Sequence, residues 1–389
     1  ITNPELFNLG ASTSATQLPV MTTTERIAMT GLSVGEMIFN SDTDKVEYWD
    51  GTKWYGITYE VTGESPYNNV LYTGNGTSNS SQQSITGVGF QPDFVWIKNR
   101  GEARNHVLVD SLRKTGSLLD ELHSNTTDPA NTTGTDNVKT LDSDGFTVLG
   151  QGSETNDSGD IFVAWCFKAG GAAVANTDGT LNSQVSANVN GGFSIVTGSA
   201  PSNGYTNTFG HGLGQQPDII ITKLTNVASD WFVIFPKMSN GLLKLNTTGS
   251  FTYDPFFAGT STTLKTGYTT AAFDFVAYCF ASVPGYSKIG SYTGNGTTGQ
   301  LIPTGFQPRY LLVKSYSGSG SYYDWYIFDN KRTPSNPSDA YLKANKSDSE
   351  QQSLTYNPTF ESTGFKWEPG DNSGGWNGSG FTYIYMAFA

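Results

Sequence analysis

Apolar residues in this chain gather in short runs bounded by Gly, Pro, Asn or Ser, and β-branched and aromatic residues fill the runs. That is the pattern of strands joined by tight turns. One run recurs. Gly89-Phe90-Gln91-Pro92-Asp93-Phe94-Val95-Trp96-Ile97-Lys98 returns as Gly214-Gln215-Gln216-Pro217-Asp218-Ile219-Ile220-Ile221-Thr222-Lys223, and again as Gly305-Phe306-Gln307-Pro308-Arg309-Tyr310-Leu311-Leu312-Val313-Lys314. Each copy is a turn, then a strand, then a lysine that marks the exit. A Tyr-Thr-Gly-Asn-Gly turn precedes the first copy at Tyr72 and the third at Tyr292, where the second keeps only Val196-Thr197-Gly198. A second strand follows each lysine, starting at His106, Trp231 and Trp325. Next comes a Leu-x-x-Asn element at Leu122, Leu243 and Leu342. Each unit closes on a nearly all-apolar strand, at 162–167, 275–280 and 383–388.

This repeat predicts an all-β fold with three tandem β-sandwich, jelly-roll-like domains at 68–168, 192–282 and 283–389. A strand apolar on both faces belongs inside such a sandwich. Residues 169–191, rich in Gly, Ala, Asn and Ser without hydrophobic period, read as a linker. The short 283–288 segment predicts close packing of the second and third domains. A β-propeller is the weaker alternative, because three blades do not close a ring.

Residues 1–62 differ and read as an attachment and oligomerisation module. Residues 6–20 look like an extended polar arm, and Thr22-Thr23-Thr24-Glu25 has capping-box spacing ahead of a short helix. A three-strand β-meander follows, with turns at 40–44 and at Asp50-Gly51. About 25 residues do not bury a core alone, so the meander needs a partner, plausibly copies of itself. Met37, Phe39, Tyr48, Trp49 and Trp54 are the expected oligomerisation residues.

Composition narrows the function. Net charge is −12 at pH 7 and the chain has no Lys/Arg cluster, which disfavours nucleic-acid binding. No apolar run approaches the ~20 residues that cross a bilayer, so no membrane insertion is expected. The start, Ile1-Thr2-Asn3-Pro4, lacks a basic and an apolar region, so no secretory signal is expected. Cys166 and Cys279 share one repeat position where the third unit has Ala387, so that position wants a small buried side chain.

Catalytic signals are absent, and neither cofactor nor metal is expected. His106, His123 and His211 are scattered and lack ligand spacing. No GxSxG elbow and no phosphate-binding loop occur. Asp142-Ser143-Asp144-Gly145 and the 155–160 loop are faint calcium candidates that read better as solvated turns. Glu361 with Glu368, or Asp120 with Glu121, is a weak glycosidase pair.

Two stretches carry a family resemblance. Leu18-Pro19-Val20-Met21-Thr22-Thr23-Thr24-Glu25-Arg26, with Gly35-Glu36-Met37-Ile38-Phe39-Asn40 and Tyr48-Trp49-Asp50-Gly51-Thr52-Lys53-Trp54, resembles a module of tail-fibre proteins of tailed bacteriophages. The repeats, with Val163-Ala164-Trp165-Cys166-Phe167-Lys168-Ala169-Gly170-Gly171 and Val283-Pro284-Gly285-Tyr286-Ser287-Lys288, resemble those of marine-phage virion structural and fibre proteins. The resemblance implies a non-enzymatic virion component, most simply a tail fibre or spike subunit engaging the host surface. It implies a homotrimer that docks to other virion proteins through its N-terminal module. A capsid fibre or decoration protein is one alternative, and a carbohydrate-binding or depolymerising protein another. Should the protein touch a host glycan, the expected contact is Trp376 with Tyr322, Tyr323, Asp371, Asn372 and Asn377, because a tryptophan added within a Gly-rich loop is not explained by the repeat.

Overall fold

The computed structural model describes residues 18–42, 45–57, 65–76, 82–133, 138–150, 152–202, 206–238, 241–267, 271–297, 299–316, 323–333, 336, 338–352, 357–368 and 375–389. The chain divides into two compact units, Ile1–Glu60 and Val61–Ala389.

In the first unit the capping box forms as its spacing predicts. Thr22 Oγ1 accepts the Glu25 N–H and the Glu25 carboxylate accepts the Thr22 N–H, starting the helix Thr23–Ile27. The meander is Met37–Asn40, Lys45–Trp49 and Trp54–Ile57, antiparallel throughout, and Val20–Met21 adds a parallel edge. Asp50 holds its second turn by accepting the Thr52 and Lys53 N–H groups, with Gly51 at φ 102°. Most of the expected N-terminal arm lies outside the described residues.

In the second unit each repeat forms two facing sheets. The first repeat's larger sheet runs Tyr67–Thr73, Ile161–Phe167, Phe94–Asn99, His106–Asp110, and its smaller one Val138–Asp142, Gly145–Leu149, Gln82–Thr86. The closing strand thus lies inside the sheet, between the opening strand and the recurring one. The same placement holds for Ala271–Phe280 and Thr382–Phe388. Alternation along these strands shows why they are apolar on both faces. Phe162, Ala164 and Cys166 face the first sandwich's interior, whereas Val163, Trp165 and Phe167 enter a core shared with the other repeats. Val276, Tyr278 and Phe280 do the same from the second repeat, and Ile384, Met386 and Phe388 from the third. Cys166, Cys279 and Ala387 are fully buried at the matching inward position, as the repeat register predicts.

The shared core joins the three sandwiches in a closed ring, with the same backbone bond at each joint. The Ala130 N–H donates to Thr225 O (2.8 Å), that of Phe251 to Tyr316 O (3.1 Å), and that of Glu350 to Arg100 O (2.9 Å). A second set runs the other way. The Trp231 indole donates to His123 O (2.8 Å) and the Trp325 indole to Lys244 O (2.9 Å). His106 completes it, with Nε2 3.0 Å from Lys343 O. The Trp96 indole donates to His106 Nδ1, which leaves the proton on Nε2 for that contact. Three propeller blades do not close a ring, but three sandwiches sharing one aromatic core do.

The segment 169–191 is not a plain linker. It contains the strands Val174–Asn176 and Ser183–Asn188, which pair in series onto Phe193–Ser202 and extend the second repeat's large sheet to eight strands. Backbone ladders hold them, and Val185 alone joins the core outright, so no hydrophobic period announces them.

Candidate functional site

The meander of the first unit presents two unlike faces, because paired positions in a sheet point the same way. On one, Ile38, Asn40 and Glu47 are buried beneath the helix. There Arg26 Nη1 meets Glu47 Oε2 at 2.6 Å and Asn40 Nδ2 donates to Glu47 Oε1 at 3.1 Å. Trp49 and Trp54 pair on this same side, with ring centroids 5.7 Å apart. On the other face lie Met37, Phe39, Val46, Tyr48 and Tyr55. The Tyr48 and Tyr55 rings stack at 5.6 Å while 37% and 38% exposed. The five expected oligomerisation residues therefore divide between a covered side and an open apolar side.

The C-terminal loop differs from its expectation. Trp376 is 6% exposed, stacked on Trp367 at 5.7 Å and met edge-on by Tyr326 at 4.7 Å. Phe328 and Tyr341 complete the aromatic box, so the indole fills the third sandwich and offers no open face to a sugar. Asn377 is fully buried and structural. Its Oδ1 accepts the Asn295 N–H and its Nδ2 donates to Thr297 O. Asn156 accepts from Asn75 in the same way in the first repeat. Both asparagines brace the Gly-Asn-Gly turn, where a Cβ on Gly74 or Gly294 would lie 2.1 or 2.4 Å from a carbonyl oxygen. Tyr323 is half-buried near Phe381. Tyr322, Asp371 and Asn372 lie outside the described residues.

Charged groups concentrate at the joints between repeats. Asp110 accepts from Arg113 Nε (2.7 Å) and from the Tyr278 hydroxyl of the second repeat (2.7 Å). Asp329 accepts from Arg332 Nε (2.6 Å) and from the Trp165 indole of the first repeat (3.0 Å). Burial alone would raise the Asp329 pKa, but Arg332 outweighs it and holds the carboxyl below its usual range. The third joint is apolar, with Phe235, Met238 and Met386 at the matching positions. The exit lysines are buried too. The ammonium groups of Lys98, Lys223 and Lys314 donate to the carbonyls of Asn99, Leu224 and Ser315, and burial pulls each down to about 8.

One cluster has ligand character. His123 Nε2 lies 2.7 Å from Glu121 Oε1 and 3.0 Å from Glu154 Oε2, and the three donor atoms fall within 4.8 Å of one another. Burial pulls the imidazole pKa down, but the two carboxylates outweigh it and raise it to about 10. Asn105 Nδ2 donates to Glu154 Oε1 at 2.8 Å. Sequence spacing concealed this set, because Glu154 arrives from a distant loop.

The other candidates for chemistry are occupied with folding. Asp144 accepts the Gly87 and Gly89 N–H groups, and Asp142 accepts the Thr147 hydroxyl. Glu361 pairs with Lys366 at 2.9 Å, and Glu368 stands at the opposite end of the same hairpin. The described residues contain no helix long and apolar enough to cross a membrane.

A family model described as a domain of unknown function, DUF7483, matches residues 63–389. A second, described as a phage tail like trimerisation region, matches residues 3–79. The latter supports a phage tail-like virion protein that self-associates as a trimer. No curated protein and no solved structure matches the chain.

Proposed function

The chain belongs to the DUF7483 family, and from that footing we propose that it is a non-enzymatic tail fibre or spike subunit of a tailed-phage virion, engaging the host surface. The trimerisation region at residues 3–79 carries this reading. Three copies come together through the open face of the meander, where Met37, Phe39, Val46, Tyr48 and Tyr55 bury one another. The same N-terminal module docks the trimer to other virion proteins. The ring of sandwiches serves as a stiff body, because a shared core resists bending between repeats.

Electron microscopy of virions labelled with a specific antibody tests the location. Label along tail appendages is expected, and label on the capsid surface sinks the tail assignment in favour of a head fibre. Incubation with host polysaccharide tests the absence of catalysis, since release of new reducing ends would make the protein a depolymerase. The trimer is expected to dissociate on Phe39→Asp, read by light scattering behind size exclusion. Phe39 points away from the polar network under the helix, so the variant should keep its far-ultraviolet spectrum. A variant that stays trimeric moves the interface elsewhere.

A further inference from the structure

The ring provides its own control for the Glu121, His123, Glu154 cluster, because each position has counterparts in the sister repeats. His123 corresponds to Lys244 and Lys343, each one residue beyond the recurring leucine. Asn105 corresponds to Asp230 and Asp324, for all three accept from or face the recurring asparagine's Nδ2. In the second repeat Lys244 meets Asp230 at 2.6 Å. In the third, Lys343 and Lys346 face Asp324 and Asp348. In both, the carboxylates are met directly by ammonium groups.

The first repeat departs at each of these positions together. Aspartate becomes Asn105, lysine becomes His123, and Glu121 stands where the others have Leu242 and Tyr341. Glu154 then enters from its loop. The set brings two carboxylates onto one imidazole nitrogen. Nε2 bears at most one hydrogen, yet two carboxylate oxygens lie within 3.0 Å of it. A divalent cation satisfies both carboxylates and the imidazole at once. One imidazole and two carboxylates form a donor set suited to Zn2+. Asn105 orients Glu154 from behind, as an outer partner of a metal ligand does.

We propose that Glu121, His123 and Glu154 bind one divalent transition-metal ion, Zn2+ foremost, which clamps the first repeat to the second. The clamp acts through His123, whose backbone oxygen receives the Trp231 indole across the joint. Fixing the imidazole fixes that acceptor. This inference is independent of the virion reading and stands or falls separately from it.

The test is calorimetric titration of the full, chelator-stripped chain with zinc chloride, together with metal analysis after dialysis. One ion per chain is expected, with a rise in melting temperature. Glu154→Gln keeps the side chain's shape and its bond from Asn105, and it should weaken Zn2+ by more than the roughly 10–100-fold typical of losing an outer partner. His123→Gln should abolish the bound ion and the thermal shift. Failure of the native chain to take up zinc overturns the proposal and leaves the cluster a protonated histidine between two glutamates. Equal uptake by both variants overturns it as well, by placing the ion elsewhere.

Discussion

At the scale of residues, the three joints of the ring show one chain solving the same burial problem in two ways. Asp110 with Arg113 and Asp329 with Arg332 are buried ion pairs, and Phe235 with Met238 is the apolar equivalent. Removing one charged partner leaves the other stranded, so Arg113→Met should cost about 3–5 kcal/mol in denaturant unfolding. The triple change Asp110→Phe, Arg113→Met and Tyr278→Met copies the third joint and should recover most of that loss. If it unfolds as readily as the single variant, the joints are not interchangeable. The histidines make a second prediction. Burial lowers the pKa of His106 and of His211 in the fold. The unfolded chain therefore binds more protons than the fold below about pH 6.5, and their contribution is lost as pH falls from there. Both should titrate below the ordinary imidazole range in nitrogen-15 spectra of the folded protein, with unfolding midpoints that fall on acidification. A histidine titrating at the ordinary value in the folded protein would remove this source of acid sensitivity.

At the scale of elements, the loop of Trp376 shows how far repeat comparison reaches. An extra tryptophan among glycines read as an open binding surface, because the loop itself offers nothing to pack against. Its partners Trp367, Tyr326, Phe328 and Tyr341 come from other strands of the same sandwich. Trp376→Ala should accordingly destabilise the chain by about 3–5 kcal/mol in thermal or denaturant unfolding, whereas a loss under 1 kcal/mol would place the ring outside the core. The strands themselves were legible where apolar runs recur, as were the capping box of Thr22 and Glu25 and the small buried site of Cys166, Cys279 and Ala387. Val174–Asn176 and Ser183–Asn188 carry no hydrophobic signature because backbone pairing, not side-chain pattern, holds them. The cluster at His123 is hidden in the sequence for a different reason. Its ligands are neighbours in space only after two loops have folded.

At the scale of the whole molecule, sharing a core makes the repeats mutually dependent. Each large sheet spends one face on its own sandwich and the other on the common centre. The first repeat alone, residues 68–168, would expose Trp96, Val163, Trp165 and Phe167 to water. It should aggregate or bind hydrophobic dye without a cooperative melt, and a well-behaved soluble monomer would show that the common core is dispensable. The dependence runs full circle, because Tyr67 on the unit's opening strand stacks against Phe388 at 5.6 Å. A ribosome delivers these two rings at opposite ends of the synthesis of this unit. Throughout that interval the first repeat waits with its inner face uncovered, a template for misassociation with other nascent chains. Any interruption before the strand Thr382–Phe388 emerges leaves the third large sheet without its inner strand and Tyr67 without the Phe388 ring. Folding thereby becomes a proofreading step, in which a truncated product announces itself by failing to close.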